Sequence, residues 1–319
     1  MQPVLEIKNL TTTFYLKKGP VKAVDNVSLS LDKGQSLALV GESGCGKTML
    51  ALSILGLIPS PPGKITSGKV IFAGKDLTRL PEKELRSIRG NDISMIFQEP
   101  MSALNPVFKV GAQISETLIH HKKLNKDEAK GQTIKLLKMV GIPAPERRFN
   151  DFPHQLSGGM RQRIIIAMAL ACSPKIILAD EPTTALDVTI QAQILDLLHE
   201  LQEKSKTSTI LITHDLGVVA QVCSAMAVMY SGRIVECGNV KDILSDPGHP
   251  YTKGLLASLP RLDRNDDLNP IPGTVPEINN LPQGCHFHPR CPQKMDICSR
   301  QDPPVKELRS KIRCWLYHD

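Results

Sequence analysis

The sequence predicts an α/β fold in which helices cover both faces of a parallel sheet. Apolar runs of strand length alternate with runs of helix length through most of the chain, and this alternation is typical of parallel sheets. One apolar strand ends in a glycine-rich loop that leads directly into a helix, and prolines break every periodic pattern after about residue 245. The predicted strands are 35–40, 93–97, 175–180 and 209–213, and the predicted helices are 47–58, 158–172, 189–204 and 215–222.

Further segments complete the predicted organisation. Residues 4–7 and 27–31 alternate between apolar and polar side chains, which predicts an antiparallel β subdomain near the N-terminus. Residues 100–155 are polar and helical in pattern, which predicts an α-helical subdomain inserted into the sheet-bearing core. The expected domains are a core over residues 1–245 and a small cysteine-rich C-terminal extension over residues 246–319.

The composition restricts the class of protein. The chain has 319 residues, 41% of them hydrophobic, which is enough for a sizeable core. Its net charge of +7 is interpreted mainly as a solvated surface with a lysine excess, with a basic face turned toward anionic lipid or nucleic acid as the alternative. Only 4% of the residues are aromatic, which argues against a platform for single-stranded nucleic acid, and we expect no nucleic-acid partner. No apolar run approaches the length of about 20 residues that a membrane helix needs, and no signal-peptide pattern is visible, so we expect a soluble intracellular protein.

The glycine-rich loop carries a phosphate-binding pattern. Residues 41–48 read GESGCGKT, which matches G-x-x-x-x-G-K-[ST] between an apolar strand and a helix. Glycines allow successive backbone N–H groups to point at phosphate oxygens, and the N-terminus of the following helix adds a partial positive charge. Lys47 is expected to reach the β- and γ-phosphates of a nucleoside triphosphate, and the Thr48 hydroxyl to bind Mg²⁺. The pattern predicts a P-loop NTPase core.

A pair of carboxylates follows another predicted strand. Residues 175–181 read KIILADE, so Asp180 and Glu181 stand at the carboxyl end of a buried strand, where open α/β sheets bind ligands. Asp180 is expected to hold Mg²⁺, directly or through water. Glu181 is expected to polarise the water that attacks the γ-phosphate.

Three motifs together resemble the ATP-binding-cassette (ABC) family of transport ATPases. They are LSGGMRQR at 156–163, ADEPTTALD at 179–187 and ITHD at 212–215. Their order and spacing match that family throughout residues 4–240. The resemblance implies a head-to-tail dimer that buries ATP between its subunits, and it implies that Ser157 and Gly159 contact the γ-phosphate of ATP held by the other protomer.

The resemblance assigns roles to further residues. His214 corresponds to a switch histidine at the γ-phosphate, and Gln98 to a glutamine that senses Mg²⁺ and the attacking water. Phe14 is the best candidate for a ring that stacks on adenine, with a place in a strand core as the alternative. The residues expected to be catalytic are Glu181, His214 and Gln98. Those expected to bind ATP are Phe14, Gly41, Ser43, Gly44, Cys45, Gly46, Lys47, Thr48, Met49, Ser157, Gly158, Gly159, Gln162 and Asp187, and those expected to bind Mg²⁺ are Thr48, Gln98 and Asp180.

Two other segments resemble the dipeptide and oligopeptide importer branch of the family. They read EPMSALNP at 99–106 and HPYTKGLLASLP at 249–260. The resemblance implies the ATP-hydrolysing subunit of a membrane importer for di- or oligopeptides, in which ATP binding closes the dimer and hydrolysis reopens it. Nickel or another small solute is the alternative cargo, because nickel uptake systems share this branch.

The resemblance also implies partners and a location. The chain is expected to dock on two transmembrane permease subunits through a groove near Gln98, between the core and the inserted helical subdomain. An extracytoplasmic solute-binding protein takes part indirectly. The second ATPase subunit is either a homologous chain, which we favour, or a second copy of this one. We expect peripheral attachment at the cytoplasmic face of the inner or plasma membrane.

Other classes of protein that bind nucleotide between two such ATPase domains fit this sequence less well. DNA-repair and chromosome ATPases need a long coiled-coil insertion, whereas the stretch from Thr48 to Ser157 is short and has no sustained heptads. A regulator whose cassette only binds nucleotide is disfavoured because Glu181 and His214 are intact.

Cysteines crowd the proline-rich extension, whose sequence predicts no core of its own. Their spacing differs from the close pairs of most zinc sites, and four thiolates also suit a [4Fe–4S] cluster. The resemblance to peptide importers, down to GCHFHPRCP, implies such a cluster, with a structural role favoured over redox sensing. Zinc, disulfides and free thiols are alternatives, and His286 and His288 are interpreted as bystanders. The expected cluster ligands are Cys285, Cys291, Cys298 and Cys314.

Overall fold

The fold is described from a computed structural model, which covers residues 3–98, 103–183, 187–258 and 270–318. The chain forms two compact units. The first unit comprises Met1–Val4, Asp32–Gln35 and Arg79–Leu211, and the second comprises Leu5–Leu31, Ser36–Thr78 and Ile212–Asp319.

The secondary structure follows the alternation in the sequence. The strands within the described ranges are β1 (Leu5–Leu16), β2 (Gly19–Leu31), β3 (Ser36–Val40), β4 (Gly63–Phe72), β5 (Lys75–Asp76), β6 (Ile93–Ile96), β7 (Ile176–Asp180), β8 (Ser208–Ile212), β9 (Ala225–Tyr230), β10 (Arg233–Asn239), β11 (Val305–Glu307) and β12 (Lys311–Arg313). The helices there are α1 (Lys47–Leu55), α2 (Glu82–Ile88), α3 (Val110–Lys122), α4 (Lys126–Met139), α5 (Pro145–Arg148), α6 (Gly158–Leu170), α7 (Val188–Ser205), α8 (Leu216–Val222), α9 (Val240–Ser245) and α10 (Pro250–Ala257). In the part of the chain that the structure describes, no helix is long and apolar enough to cross a membrane.

An antiparallel sheet belongs to the second unit, with the strand order β2-β1-β4-β5. Leu5 of β1 lies opposite Leu31 of β2 and opposite Phe72 of β4, and all three side chains are buried. The structure therefore contains the antiparallel sheet that the alternating N-terminal segments predict.

The second unit also contains the strand that carries the phosphate loop. β3 is buried along its whole length and pairs in parallel with β9, which pairs in antiparallel fashion with β10. Strand β12 adds to the far edge of β10, and β11 adds to β12. The C-terminal extension thus continues the sheet that contains β9 and β10 through two short strands.

The first unit supplies a parallel strand pair and most of the helices. β6 and β7 run parallel, with Ile93 opposite Ile176, and β8 is the next strand beyond β7. Helices α3, α4 and α5 fall inside the segment for which a helical subdomain is predicted. Asn125 begins α4 with a capping box that includes Glu128, so polar local chemistry fixes this helix start.

The C-terminal extension packs within the second unit through aromatic and hydrogen-bond contacts. The buried rings of Tyr230, Tyr251 and Phe287 meet with centroids 4.6–5.4 Å apart, and such aromatic pairs contribute about 0.5–1.5 kcal/mol each beyond their buried area. The fully buried carboxylate of Glu236 accepts hydrogen bonds from the backbone N–H groups of Gly248 and His249, at 2.8 and 2.9 Å. The extension therefore packs into an apolar core, and the buried carboxylate of Glu236 is hydrogen-bonded to its backbone.

Candidate nucleotide-binding site

The phosphate loop joins β3 to α1 in a conformation that depends on glycine. Gly46, the N-cap of α1, has a φ of 108°. A Cβ at Gly46 would collide with the carbonyl oxygen of Ala23, and a Cβ at Gly41 would collide with that of Met229. Side chains at these two positions are therefore excluded by backbone of the same unit. Ser43 and Gly44 are exposed at the tip of the loop, which leaves that face open to a ligand.

The lysine of the loop is buried and satisfied by backbone carbonyls. Lys47 has a relative exposure of 6%, and its Nζ donates to the carbonyl oxygens of Gly41 at 2.8 Å and Glu42 at 3.0 Å. Thr48 and Met49 are partly buried on the first turn of α1. Cys45, within the loop, is buried, and burial raises the pKa of its thiol, so it acts as a packing residue. An ammonium held among loop carbonyls places a positive charge where the phosphate pattern requires one.

Phe14 lies near the end of β1, opposite Val21 of β2 and Gly63 of β4. Its side chain is partly buried, and a Cβ at Gly63 would come within 2.9 Å of the Phe14 ring. The ring thus covers the backbone of Gly63 with one part and remains partly accessible. Tyr15, beside it, is 57% exposed.

The carboxylates of the first unit lie at the end of β7, as predicted. Asp180 is the last residue of that buried strand, with a relative exposure of 2%. Glu181 follows with a φ of 43°, in the left-handed region that side chains other than glycine rarely adopt. Its Oε2 accepts a hydrogen bond of 3.0 Å from Nε2 of Gln98, which follows β6. The structure brings together these two predicted catalytic residues.

The LSGG motif forms the beginning of α6. Ser157 is the N-cap, and its Oγ accepts from the backbone N–H of Met160 at 3.4 Å. Ser157 and Gly158 are exposed, and Gly159 packs so closely on the side chain of Ile190 that a Cβ would approach it to 2.8 Å. An exposed helix N-terminus of this kind suits an anion. Gln162 points inward and is 1% exposed.

Two other predicted residues lie at helix starts. Asp187 is exposed and is the N-cap of α7, where its Oδ1 accepts from the backbone N–H of Ile190 at 3.0 Å. His214 is exposed in the short connection between β8 and α8, next to the helix cap Asp215. Residues 184–186 of the ADEPTTALD motif, and residues 99–102 at the start of EPMSALNP, lie outside the described residues.

Contacts between the phosphate loop and the C-terminal extension were missed by sequence reasoning. The guanidinium of Arg290 pairs with both carboxylate oxygens of Glu42, at 2.8 and 3.1 Å. The hydroxyl of Tyr251 accepts a hydrogen bond of 2.9 Å from the backbone N–H of Glu42. No spacing rule connects residue 42 with residues more than 200 positions away. The only signal was the HPYT segment, which stood out without a chemical explanation.

Comparison with known proteins decides the family. A family model described as ABC transporter matches residues 24–184, which is half of the chain. The chain belongs to the ABC transporter family. A second model, described as the C-terminal region of oligopeptide/dipeptide transporters, matches residues 235–298 of this ABC protein.

Similar proteins cover nearly the whole ABC chain. The dipeptide transport ATP-binding protein DppD of Bacillus subtilis is 54% identical over 99% of this chain and 95% of its own length. The oligopeptide transport ATP-binding protein OppD of the same organism is 53% identical over 99% of this chain and 89% of its own. Among solved structures, the dimeric post-hydrolysis state of the ATP-binding cassette MJ0796, bound to ADP and Pi, is 31% identical with a TM-score of 0.66, over 74% of this chain and 98% of that one. The P-loop fold of an ABC ATPase, with mixed α/β sheets, is thereby confirmed.

The expectation of a [4Fe–4S] cluster on Cys285, Cys291, Cys298 and Cys314 is wrong. All four positions are described, and within the described ranges no group of three or more His, Cys, Asp or Glu side chains is placed to hold a metal ion. Burial raises the pKa of the Cys285 thiol to about 12 and also raises the pKa values of the Cys291 and Cys314 thiols. The names of the Bacillus relatives do not mention such a cluster either.

The neighbouring histidines are held by backbone. His286 Nδ1 lies 3.0 Å from the carbonyl oxygen of Ser231, and His288 Nδ1 lies 2.9 Å from that of Cys285. The premise behind the cluster, a tail without its own core, fails because Tyr251 and Phe287 pack into the buried core of the second unit.

Proposed function

We propose that this chain is the ATP-hydrolysing subunit of a membrane ABC importer for di- and oligopeptides. The observation that carries the proposal is the similarity to peptide-transport ATP-binding proteins over nearly the whole chain, including the oligopeptide/dipeptide C-terminal region. The ATPase activity follows from the ABC family and is supported by the phosphate loop with its buried Lys47 and by the paired Gln98 and Glu181.

The residues of the phosphate loop fit a nucleoside triphosphate. Gly41 and Gly46 occupy positions that no side chain could occupy, and the exposed tip at Ser43 and Gly44 leaves backbone groups accessible. With a nucleotide bound, Lys47 would exchange its bonds to loop carbonyls for the β- and γ-phosphates. Thr48, Asp180 and Gln98 are the residues that would hold Mg²⁺, which would neutralise charge on the phosphates. The remaining loop residues contribute backbone N–H groups, and the partly accessible ring of Phe14 stacks on adenine.

Hydrolysis requires a base for the attacking water. Glu181 accepts a proton from that water, the water oxygen bonds to the γ-phosphorus, and the bond from the γ-phosphorus to the β–γ bridging oxygen breaks to give ADP and inorganic phosphate. Gln98 holds the carboxylate of Glu181 in place through its hydrogen bond. His214, exposed before α8, contacts the γ-phosphate.

The working unit is a dimer of ATPase subunits attached to membrane permease subunits. Ser157, Gly158 and Gly159 present an exposed helix N-terminus to the ATP of the other protomer, and Gln162 and Asp187 support this surface. The partner is a homologous ATPase chain or a second copy of this one, in a head-to-tail arrangement. ATP binding closes the dimer and hydrolysis reopens it. The chain attaches peripherally to two permease subunits at the cytoplasmic face of the membrane, and a solute-binding protein delivers the peptide from outside.

Uptake in cells tests this function. Cells that lack the chain are complemented with the wild type or with Lys47→Ala, and uptake of a radiolabelled dipeptide is compared with uptake of ⁶³Ni²⁺. We expect dipeptide uptake with the wild type only and nickel uptake independent of the chain. Restoration of nickel uptake without dipeptide uptake would contradict the proposed cargo, and restoration by Lys47→Ala would contradict a role for ATP.

A further inference from the structure

Residues of the C-terminal extension contact the phosphate loop and hold Glu42 in place. Glu42, the second residue of the loop, donates its backbone N–H to the hydroxyl of Tyr251 at 2.9 Å. Its carbonyl oxygen accepts from Nζ of Lys47 at 3.0 Å. The peptide groups around Glu42 are thus held on one side by α10 of the extension and on the other by the lysine that the triphosphate needs.

The side chain of Glu42 is held by a buried charge. The guanidinium of Arg290 forms a two-pronged ion pair with the Glu42 carboxylate, and its side chain is 5% exposed. Nε of Arg290 also donates to the carbonyl oxygen of Pro272 at 2.9 Å, and the guanidinium lies 5.9 Å from the centre of the Tyr230 ring. These contacts fix the orientation of the Arg290 guanidinium. Because the Glu42 carboxylate is paired with it, the orientation of Glu42 is fixed as well.

The position of Tyr251 is also fixed by its surroundings. Its ring is fully buried against Tyr230 and Phe287, and its backbone N–H is capped by His249 Nδ1 at 3.0 Å. His249 is fixed in turn by the buried Glu236, which accepts from its backbone N–H at 2.9 Å. Strand β10, helix α10 and the loop around Arg290 therefore act on one residue of the phosphate loop.

From these contacts we infer that Arg290 and Tyr251 are positioning residues for ATP, which act through Glu42. Arg290 neutralises a carboxylate that would otherwise stand in the phosphate loop and repel the triphosphate, and Tyr251 sets the direction of the Glu42 peptide. The inference depends on the proposed binding of ATP to this loop. It gives the extension a role in nucleotide affinity beyond packing.

The charge part of the inference is tested with a double-mutant cycle on the full chain. Binding of the non-hydrolysable analogue AMPPNP with Mg²⁺ is measured by calorimetry for the wild type, Arg290→Met, Glu42→Gln and the double variant. Arg290→Met keeps the apolar stem over Tyr230 and should bind about tenfold more weakly, because it leaves the Glu42 carboxylate without its partner. Glu42→Gln should lose less, because the amide keeps an acceptor for Arg290. The double variant should bind more tightly than Arg290→Met, because the unpaired charge is gone.

Positioning by Tyr251 is tested with a matched pair of hydroxyl deletions. Tyr251→Phe keeps the buried ring and removes only the group that accepts from Glu42, so AMPPNP affinity should fall by about three- to tenfold. Tyr317→Phe removes a hydroxyl that donates to Gly248 at 2.8 Å and does not contact the loop, so its affinity should equal that of the wild type. Melting temperatures are measured in parallel. Should Arg290→Met not fold, the Tyr251 pair still decides the inference.

The outcomes separate the inference from the proposed function. Equal affinity of Arg290→Met, Tyr251→Phe and the wild type, or a double variant no tighter than Arg290→Met, would overturn the inference while leaving ATP binding intact. A wild type that does not bind AMPPNP would overturn the proposed function itself.

Discussion

Gln98 donates a hydrogen bond from its side-chain amide to the carboxylate of Glu181, with 3.0 Å between nitrogen and oxygen. The two residues follow the neighbouring parallel strands β6 and β7, so the sheet sets the separation of their backbones. Glu181 has a left-handed φ of 43°, and such strained positions cluster at functional sites. The pair is a proposed base together with the group that orients it.

Removing the amide should slow hydrolysis. Gln98→Ala removes a hydrogen bond that orients the Glu181 carboxylate, so this variant should lower kcat for ATP about tenfold. Phosphate release under steady-state conditions measures this. Gln132→Ala, at an exposed position in α4, is the control and should match the wild type. A Gln98→Ala rate equal to the wild-type rate would show that the hydrogen bond has no role in turnover.

The steric requirement for glycine in the phosphate loop can be separated from backbone strain. Gly46 and Gly74 both have positive φ values, of 108° and 81°, but only at Gly46 would a Cβ collide with backbone, since nothing lies within 4 Å of a Cβ at Gly74. Gly46→Ala should therefore lose about 2–3 kcal/mol more stability than Gly74→Ala, and it should also lose ATP binding. Denaturant unfolding and calorimetry measure the two effects. Equal unfolding midpoints would argue against the collision.

His249 gives the stability a pH dependence of defined sign. Burial of this capping histidine lowers its pKa to about 3. Below about pH 6.5 the unfolded chain therefore binds a proton that the folded chain does not, and stability falls as the pH falls from about 7 to 5, with a slope approaching about 1.4 kcal/mol per pH unit.

Substitution isolates this contribution. His249→Asn keeps a capping acceptor and removes the titration, so its stability should change less between pH 7 and pH 5, as urea unfolding at a series of pH values would show. His199→Asn, at an exposed position in α7, should retain the wild-type slope. The same slope in His249→Asn and the wild type would assign the pH dependence to other groups.

The fold was predictable where the sequence pattern is local. The loop at 41–48 is a local motif, and 158–172 and 175–180 are apolar runs of helix and strand length; the structure shows α6 and β7 there. β4 was not predicted, because its sequence GKITSGKVIF mixes glycines and lysines with apolar residues and is specified by its pairing with β1.

The site was predictable only within its motifs. The contact of Gln98 with Glu181 follows from two strand ends that the parallel order places side by side. The contacts of Glu42 with Tyr251 and Arg290 depend on the tertiary packing of a proline-rich segment, about which periodicity says nothing. The incorrect prediction of an iron–sulfur cluster has the same cause. The spacing of the cysteines carries no information about the aromatic core around Phe287.

The exposed start of α6 predicts how subunits associate. In a Glu181→Gln background, Mg²⁺–ATP should convert the ATPase, alone or with its homologous partner, from single subunits to dimers in sedimentation velocity. Ser157→Arg should prevent this by placing a large cation at the exposed N-cap, and it should leave ATP binding to the single subunit within about threefold. Gln132→Arg is the control and should still form dimers. If the Ser157→Arg variant formed dimers as well as the parent protein, the start of α6 would not be part of the dimer interface.

We propose that this chain binds ATP and uses Glu181 as the base that hydrolyses it. The most direct measurement compares Glu181→Gln with the wild type in two assays on the same preparations, calorimetric affinity for Mg²⁺–AMPPNP and steady-state phosphate release from ATP. We expect the affinity to stay within about threefold while turnover falls by at least about a hundredfold, because a positioned general base is lost and the phosphate loop is untouched. Turnover within about twofold of the wild type would contradict the account.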